Sequence, residues 1–445
     1  MRINNRTLVV FILIAVGLLS VGFGQSWNVS LSIINLCLVS SVMALGLNVQ
    51  WGNAGLLNVG VMGFTALGGL AGVLISESPV AEAWSAGGIS LGLSLLMLIL
   101  TIIVVIFIRK FIHNRTLRNI LTVITIIAGY FLIRMFFNPA VDTIESIDSA
   151  KTGYLGGAGL PIIISWFVGA AFAAGAAWVI GKISLGLRAD YFAIATLGIS
   201  EIIIAILKNE DWLTRGVKNV TGLKRPVPYE IDLQQSTWFI DLSKFLGSNL
   251  TEASSIFVKL CYAGLFLLFL TLLIWITQRA VNAPWGRMMR AIRDNEDAAS
   301  AMGKDVKARH LQTFIFGAAI MGMAGAMLTT LDGQFTPASY APLRFTFVIW
   351  VMVIVGGSGN NLGSVVGAFL IWFIWVEAEP AGLWLVDTLT SGMSDDSSIR
   401  EHLLRSAPHM RLIIMGFVLL LVLRFSPNGI LPEKLRRYST KVYRE

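Results

Sequence analysis

The chain is a succession of apolar runs, most of them near 20 residues long, divided by short charged stretches. Wound as an α-helix, such a run matches the hydrocarbon core of a bilayer, about 30 Å thick. In lipid every backbone amide and carbonyl must be bonded within the protein, so only helices and closed barrels span. Continuous apolar runs of this length, rather than short alternating ones, select the helix. Candidate spans fall at about 7–24, 29–47, 55–76, 87–108, 119–137, 160–181, 189–207, 256–278, 311–330, 344–356, 364–386 and 409–425. The segment 344–356 is too short to cross alone. The expectation is therefore an all-α polytopic membrane protein with about 10–12 transmembrane or re-entrant helices. Only 13% of the residues are charged, against about 25% in a soluble domain.

Charge placement orients the spans. Arg2 and Arg6 precede the first run, Arg109, Lys110, Arg115 and Arg118 follow the fourth, and Lys182 and Arg188 follow the sixth. A basic stretch from Arg279 to Arg309 follows the eighth, and another from Lys434 to Arg444 follows the last. Strict alternation puts all of these on one side. Asp142, Glu145, Asp148, Asp387, Asp395 and Asp396 fall on the other, and the last three are expected to be solvated. Lys and Arg collect on the cytoplasmic side, so both termini are expected in the cytoplasm. The same rule accounts for the net charge of +8 without nucleic acid. The layout is then a single transmembrane domain over 1–445, an external loop or cap at 208–255, a cytoplasmic loop at 279–310 and a basic cytoplasmic tail at 426–445. The first run resembles a signal peptide, but no small-x-small cleavage site follows it, and it reads as a retained span. Cys37 and Cys261 lie inside apolar runs and read as small buried residues. The four histidines have no metal-ligand spacing.

The stretch from Pro284 to Gly303 carries the first constellation. Nothing between Arg287 and Met302 breaks a helix, so the spacing predicts one continuous helix stopped by Gly303. Arg290 with Asp294, and Arg293 with Asp297, stand four apart and are expected to pair. Met288, Ile292, Ala299 and Met302 form a weakly apolar face. Small residues (Ala298, Ala299, Ala301) beside a charged rim that includes Glu296 suit docking into a groove on another protein. A helix lying on lipid headgroups is the competing reading.

Two interruptions rich in Gly and Asn form the second. One runs from Asn48 to Gly60 and holds Asn48, Gly52, Asn53, Gly55 and Asn58; the other runs from Gly356 to Gly363 and holds Gly356, Gly357, Ser358, Asn360 and Asn361. A broken membrane helix survives where protein or a water-filled path supplies hydrogen-bond partners. One break in each half of the chain fits two repeats meeting at a substrate path; tight turns at the membrane face fit as well. Glu201, near the middle of 189–207, needs a partner or water. It reads either as path lining or as a structural carboxylate that is hydrogen-bonded to a neighbouring helix or protonated. Gly68 with Gly72, and Ala318 with Gly322 and Ala326, have the spacing that lets helices approach closely.

No G-x-x-x-x-G-K-[ST] occurs; Gly181 and Lys182 are followed by Ile183. ATP hydrolysis is therefore not expected of this chain. H-E-x-x-H, G-x-S-x-G and Cys/His clusters are also missing from the sequence, and no enzyme activity is expected.

The run EDAASAMG from Glu296 to Gly303 resembles the E-x-A-A-x-x-x-G loop of ABC importer permeases. The longer run Arg290–Gly303, together with 187–201, 45–60 and 356–363, is similar to the signatures of LivM-type permeases of branched-chain amino acid importers, within the LivH/LivM permease family. The motifs keep the family's order. The resemblance implies a multi-pass permease subunit in the plasma membrane (the bacterial inner membrane) that moves branched-chain or other hydrophobic amino acids inward. It implies that the loop is the ATPase-coupling helix, through Arg290, Arg293, Asp294, Glu296, Ala298, Ala299 and Gly303. ATP and Mg would reside on two separate cytoplasmic ABC ATPase subunits, leaving no cofactor and no metal in this chain. A second related permease subunit, an external solute-binding protein and membrane lipid are the other implied partners. The family extends to permeases for urea and short amides, which stay open as substrates. A self-contained secondary transporter would account for the breaks and Glu201 but not for the loop. The chain departs from the family at Thr214–Asn219 (TRGVKN), where T-G-G-P-N-G is usual, and at Gln50, usually small or apolar. Segments 75–155 and 225–255 are the least family-like.

Overall fold

A computed structural model describes residues 5–148, 152–245, 247–392 and 397–433. Arg2, Asp395, Asp396 and the basic tail from Lys434 lie outside the described residues. The first half runs through α1 (Asn5–Gly24), α2 (Trp27–Leu47), α3 (Val61–Ser76), α4 (Ala81–Phe111), α5 (Arg115–Ser146), α6 (Ile162–Ser184) and α7 (Ala189–Asn209). Three short helices, α8 (Asp211–Thr214), α9 (Glu230–Gln235) and α10 (Thr237–Phe245), build the 208–255 segment. The second half holds α11 (Leu250–Asn282), α12 (Pro284–Asp294), α13 (Glu296–Ala301), α14 (Val306–Asp332), α15 (Pro342–Gly356), α16 (Asn361–Leu389), α17 (Ser398–Ser406) and α18 (Met410–Phe425). Every apolar run of the sequence is a helix. Among the described residues nine helices are long and apolar enough to cross a membrane, while α3, α15 and the apolar part of α1 are shorter. The protein is an all-α, multi-pass membrane protein.

Side-chain caps set several helix starts. Ser26 caps α2, Asn114 α5, Asn249 α11 and Asn360 α16, each accepting a hydrogen bond from an amide of the first turn. The one sheet among the described residues is a two-residue antiparallel ribbon that pairs Val220–Thr221 with Gln334–Phe335. It ties the 208–255 segment to the end of α14.

The core is a bundle of α2, α3, α6, α14 and α16. Its closest crossing uses the small residues singled out by spacing. A Cβ on Gly68 of α3 would lie 1.8 Å from the carbonyl oxygen of Gly322 in α14, and Gly169 of α6 abuts both. Gly72 meets Thr329, and Ala318 and Ala326 are fully buried. Backbones this close exchange dispersion contacts that larger side chains would forbid. Of the most apolar stretch of Trp27–Gly52, 78% is buried within the chain, and of α14 72%; the figures for α4 and α5 are 6% and 11%. α4 and α5 form a hairpin that packs mainly on itself, with Gly87 against Ile144 and Gly129 against Thr101. Glu145 anchors its acidic end by accepting the Trp212 amide at 3.1 Å. Asp387 is 64% exposed, as expected of a solvated carboxylate, and also pairs with Arg400 of α17 at 2.8 Å.

Candidate functional site

The loop expected to be one helix over 287–302 is two. Asn295 is extended (φ −157°, ψ 101°), which ends α12, and its side chain accepts the Ala298 amide at 2.9 Å to start α13. Asparagine competes for backbone amides and so favours a cap over a helix interior. α13 closes as expected. The Gly303 amide donates to Ser300 O at 2.9 Å, Lys304 N–H donates to Ala299 O at 3.2 Å, and Gly303 has φ +75°. That is a Schellman motif. Asp294, Glu296, Asp297, Ala298, Ala301, Gly303 and Met302, the last 79% exposed, face outward. Ala299 does not, being buried against the chain's own core.

The expected arginine pairs are also replaced. Arg290 and Arg293 both reach Glu433, at 3.6 and 2.9 Å, and Arg293 meets Asp294 at 3.2 Å. The Arg293 guanidinium further donates to the carbonyl of Gly52. Glu433 was missed because it stands beside the basic tail, far along the chain from either arginine. The only local signal was an acid beginning a run of Lys and Arg.

Gly52 belongs to the first break, which begins as a π-helical turn over Asn48–Gly52. The two breaks touch. Asn48 is fully buried; its Nδ2 donates to Asn361 Oδ1 at 3.0 Å, and its Oδ1 accepts the Gly359 amide at 2.8 Å. A Cβ on Gly52 would lie 2.4 Å from Gly359 N. Gln50 donates to Phe314 O at 2.7 Å and accepts Asn58 Nδ2 at 2.7 Å, which gives the departure at 50 a clear task. Asn53 donates to Asn48 O at 3.3 Å, and Trp350 donates to Asn58 O at 3.0 Å. Gly356 and Gly357 are buried against Gly363 and Leu431, Ser358 is half-buried, and Gly55 is exposed beside Arg293. The structure thus gathers both breaks at the end of the bundle next to α12. Their polar side chains are largely turned onto one another.

Glu201 stands apart. It is exposed on α7 with Tyr191, Ile194, Gly198 and Ile202, opposite the face of Phe192, Thr196, Ser200 and Ile204 that packs inward. No side-chain partner for it occurs among the described residues.

The turn at Thr214–Asn219 explains another departure. Arg215, Gly216 and Asn219 have φ of 59°, 50° and 61°, at the three positions where T-G-G-P-N-G has glycine. The backbone keeps a form that glycine adopts without cost, although two of the residues have changed. Arg215 lies 6.0 Å over the Tyr154 ring; burial, with Glu77 nearby, pushes the Tyr154 phenol up, and Arg215 partly opposes this.

Comparison with known proteins agrees with the motifs. Residues 147–423 match the family described as branched-chain amino acid transport system, permease component. The chain is 24% identical over 262 residues to the high-affinity branched-chain amino acid transport system permease protein LivM of Salmonella typhimurium, covering 58% of this chain and 55% of that protein. It is 26% identical over 275 residues to a probable LivM of Methanocaldococcus jannaschii, covering 62% and 68%. A probable LivH of the same archaeon is 28% identical over 129 residues, covering 29% and 40%. The chain spans about half the length of the bacterial relative, 55%. No solved structure matches it.

Proposed function

The chain belongs to the branched-chain amino acid transport permease family, and from that membership we propose that it is one permease subunit of an ABC importer. It carries branched-chain or other hydrophobic amino acids into the cell, driven by two cytoplasmic ABC ATPase subunits. A second related permease completes the membrane unit, and an external solute-binding protein delivers the substrate.

The observation that carries this reading is the set of bonds made by Arg293. One side chain links the outward-facing docking element to Glu433 and to the carbonyl of Gly52, at the seam where the breaks meet. A displacement of α12 and α13 therefore acts directly on both halves of the bundle. In this reading Arg290, Arg293, Asp294, Glu296, Ala298, Ala299 and Gly303 form the coupling unit. Ala299 acts as its internal anchor and the others face the partner or the seam. Asn48, Gly52, Asn53, Gly55, Asn58, Gly356, Gly357 and Ser358 form the inner end of the substrate path. Glu201 lies where the second permease covers α7, since a membrane carboxylate left to lipid is costly.

The test separates the two alanines. Ala298→Trp, on the outer face of α13, abolishes uptake and ATPase retention during purification while the chain inserts and melts normally. Ala299→Trp lowers folded yield as well. Uptake and ATPase binding that survive Ala298→Trp would remove α13 from the contact.

A further inference from the structure

The opposite end of the bundle holds a cavity of about 270 Å³. The starts of α2 and α11, the end of α14 and the 208–255 segment line it, and it opens to the surface. Small-ligand sites run from about 300 to 1,000 Å³, so this one suits a solute of amino-acid size and not a peptide.

Its walls hold charges of both signs. Arg225 and Lys259 face the cavity with Glu230 and Asp332, and the formal charges cancel. Arg225 and Glu230 pair with each other at 3.1 Å. Lys259 Nζ donates to the carbonyl of Asn28 at 3.0 Å, which leaves the rest of a three-donor ammonium free. Asp332 is exposed and has no hydrogen-bond or ion-pair partner among the described residues. Asn35, only 1% exposed, donates through Nδ2 to Lys259 O at 3.1 Å, and its Oδ1 has no partner. The cavity thus offers a carboxylate without a partner, an ammonium with unused donors, and apolar surface from Leu36, Val258 and Leu331.

We propose that this cavity is a binding site for a zwitterionic α-amino acid with an aliphatic side chain. Asp332 receives the ammonium, Lys259 and Arg225 the carboxylate, and Leu36, Val258 and Leu331 the side chain. The proposal rests on the permease reading and narrows its substrate class. Urea and short amides carry neither full charge, so they leave Asp332 and Lys259 without ionic partners; a site built for a polar group rejects analogues that lack it.

The probe is L-leucine, titrated calorimetrically into the full-length chain in lipid nanodiscs. L-Valine is expected to compete, whereas isovalerate, isoamylamine and urea are not, each lacking at least one charged group. Asp332→Asn and Lys259→Met are expected to weaken binding about tenfold or more, as loss of a charge-assisted contact does, with an unchanged Tm. In cells expressing the whole transporter, the same variants raise the KM for leucine uptake, with the maximal rate held within about twofold. Absence of leucine binding, or displacement by isovalerate or isoamylamine as effective as by valine, overturns the site; neither result depends on a variant. Wild-type uptake with a KM that both variants leave unchanged overturns the site alone. Wild-type cells that take up no branched-chain amino acid overturn the permease reading and the site with it.

Discussion

The central bundle and the α4–α5 hairpin are both apolar, yet they are opposite in construction. The hairpin helix α4 has the highest mean hydropathy of the spanning helices, 3.1, and is 6% buried over that stretch; α14 and α16 stand at 1.8 and 1.6 and are 72% and 56% buried. In water the most apolar element seeks the core. In lipid it has no reason to, because the solvent is as apolar as the side chain. Interior position is reached by fit instead, through Gly68, Gly169 and Gly322, and through hydrogen bonds such as Asn48 to Asn361. The matched family segment, 147–423, begins just after the hairpin ends.

Paired glycine substitutions put the largest strain on this comparison. Gly68→Leu drives its first added carbon into the Gly322 carbonyl, whereas Gly92 of α4 has open space. Overpacking costs about 1–3 kcal/mol or more. Fluorescence-detected size exclusion should show loss of the folded peak for Gly68→Leu and none for Gly92→Leu; equal tolerance would break the contrast. A middle-sized effect comes from the buried amides. Asn48→Leu and Asn361→Leu should each cost about 1–3 kcal/mol by leaving a partner unbonded. The double variant should fall short of their sum by about 0.5–3 kcal/mol in thermal melts. The smallest effect is on the hairpin surface, where Ile102→Ala, at a position 51% exposed, should shift stability by no more than about 0.5 kcal/mol.

Span positions were legible because lipid imposes one rule on every membrane helix, and small residues at four-residue spacing reported where backbones approach. The break at Asn295 was not legible. Helix propensity tolerates asparagine, and the choice between interior and cap depends on Ala299 turning inward, which is a tertiary contact. The breaks were visible as unusual composition, but their mutual contact joins Asn48 to residues 311 and 313 positions away. Nothing local encodes such a pairing. The same holds for Glu433, and for the cavity, whose walls come from four parts of the chain. The turn at 214–219 was read as a departure from the family because residue identity was compared where backbone form is what persists.

α14 starts at Val306, five residues after Ala301 ends α13, and runs unbroken to Asp332. At 1.5 Å per residue that is one rod about 40 Å long. Its near end adjoins α13, and its far end carries a wall of the charged cavity and leads into the β ribbon. Whatever free energy one end lends the other must be returned in equal measure. Under the proposed reading, in which α13 docks a partner and the cavity holds a solute, whatever factor the solute adds to the partner's hold is the factor the partner adds to the hold on solute.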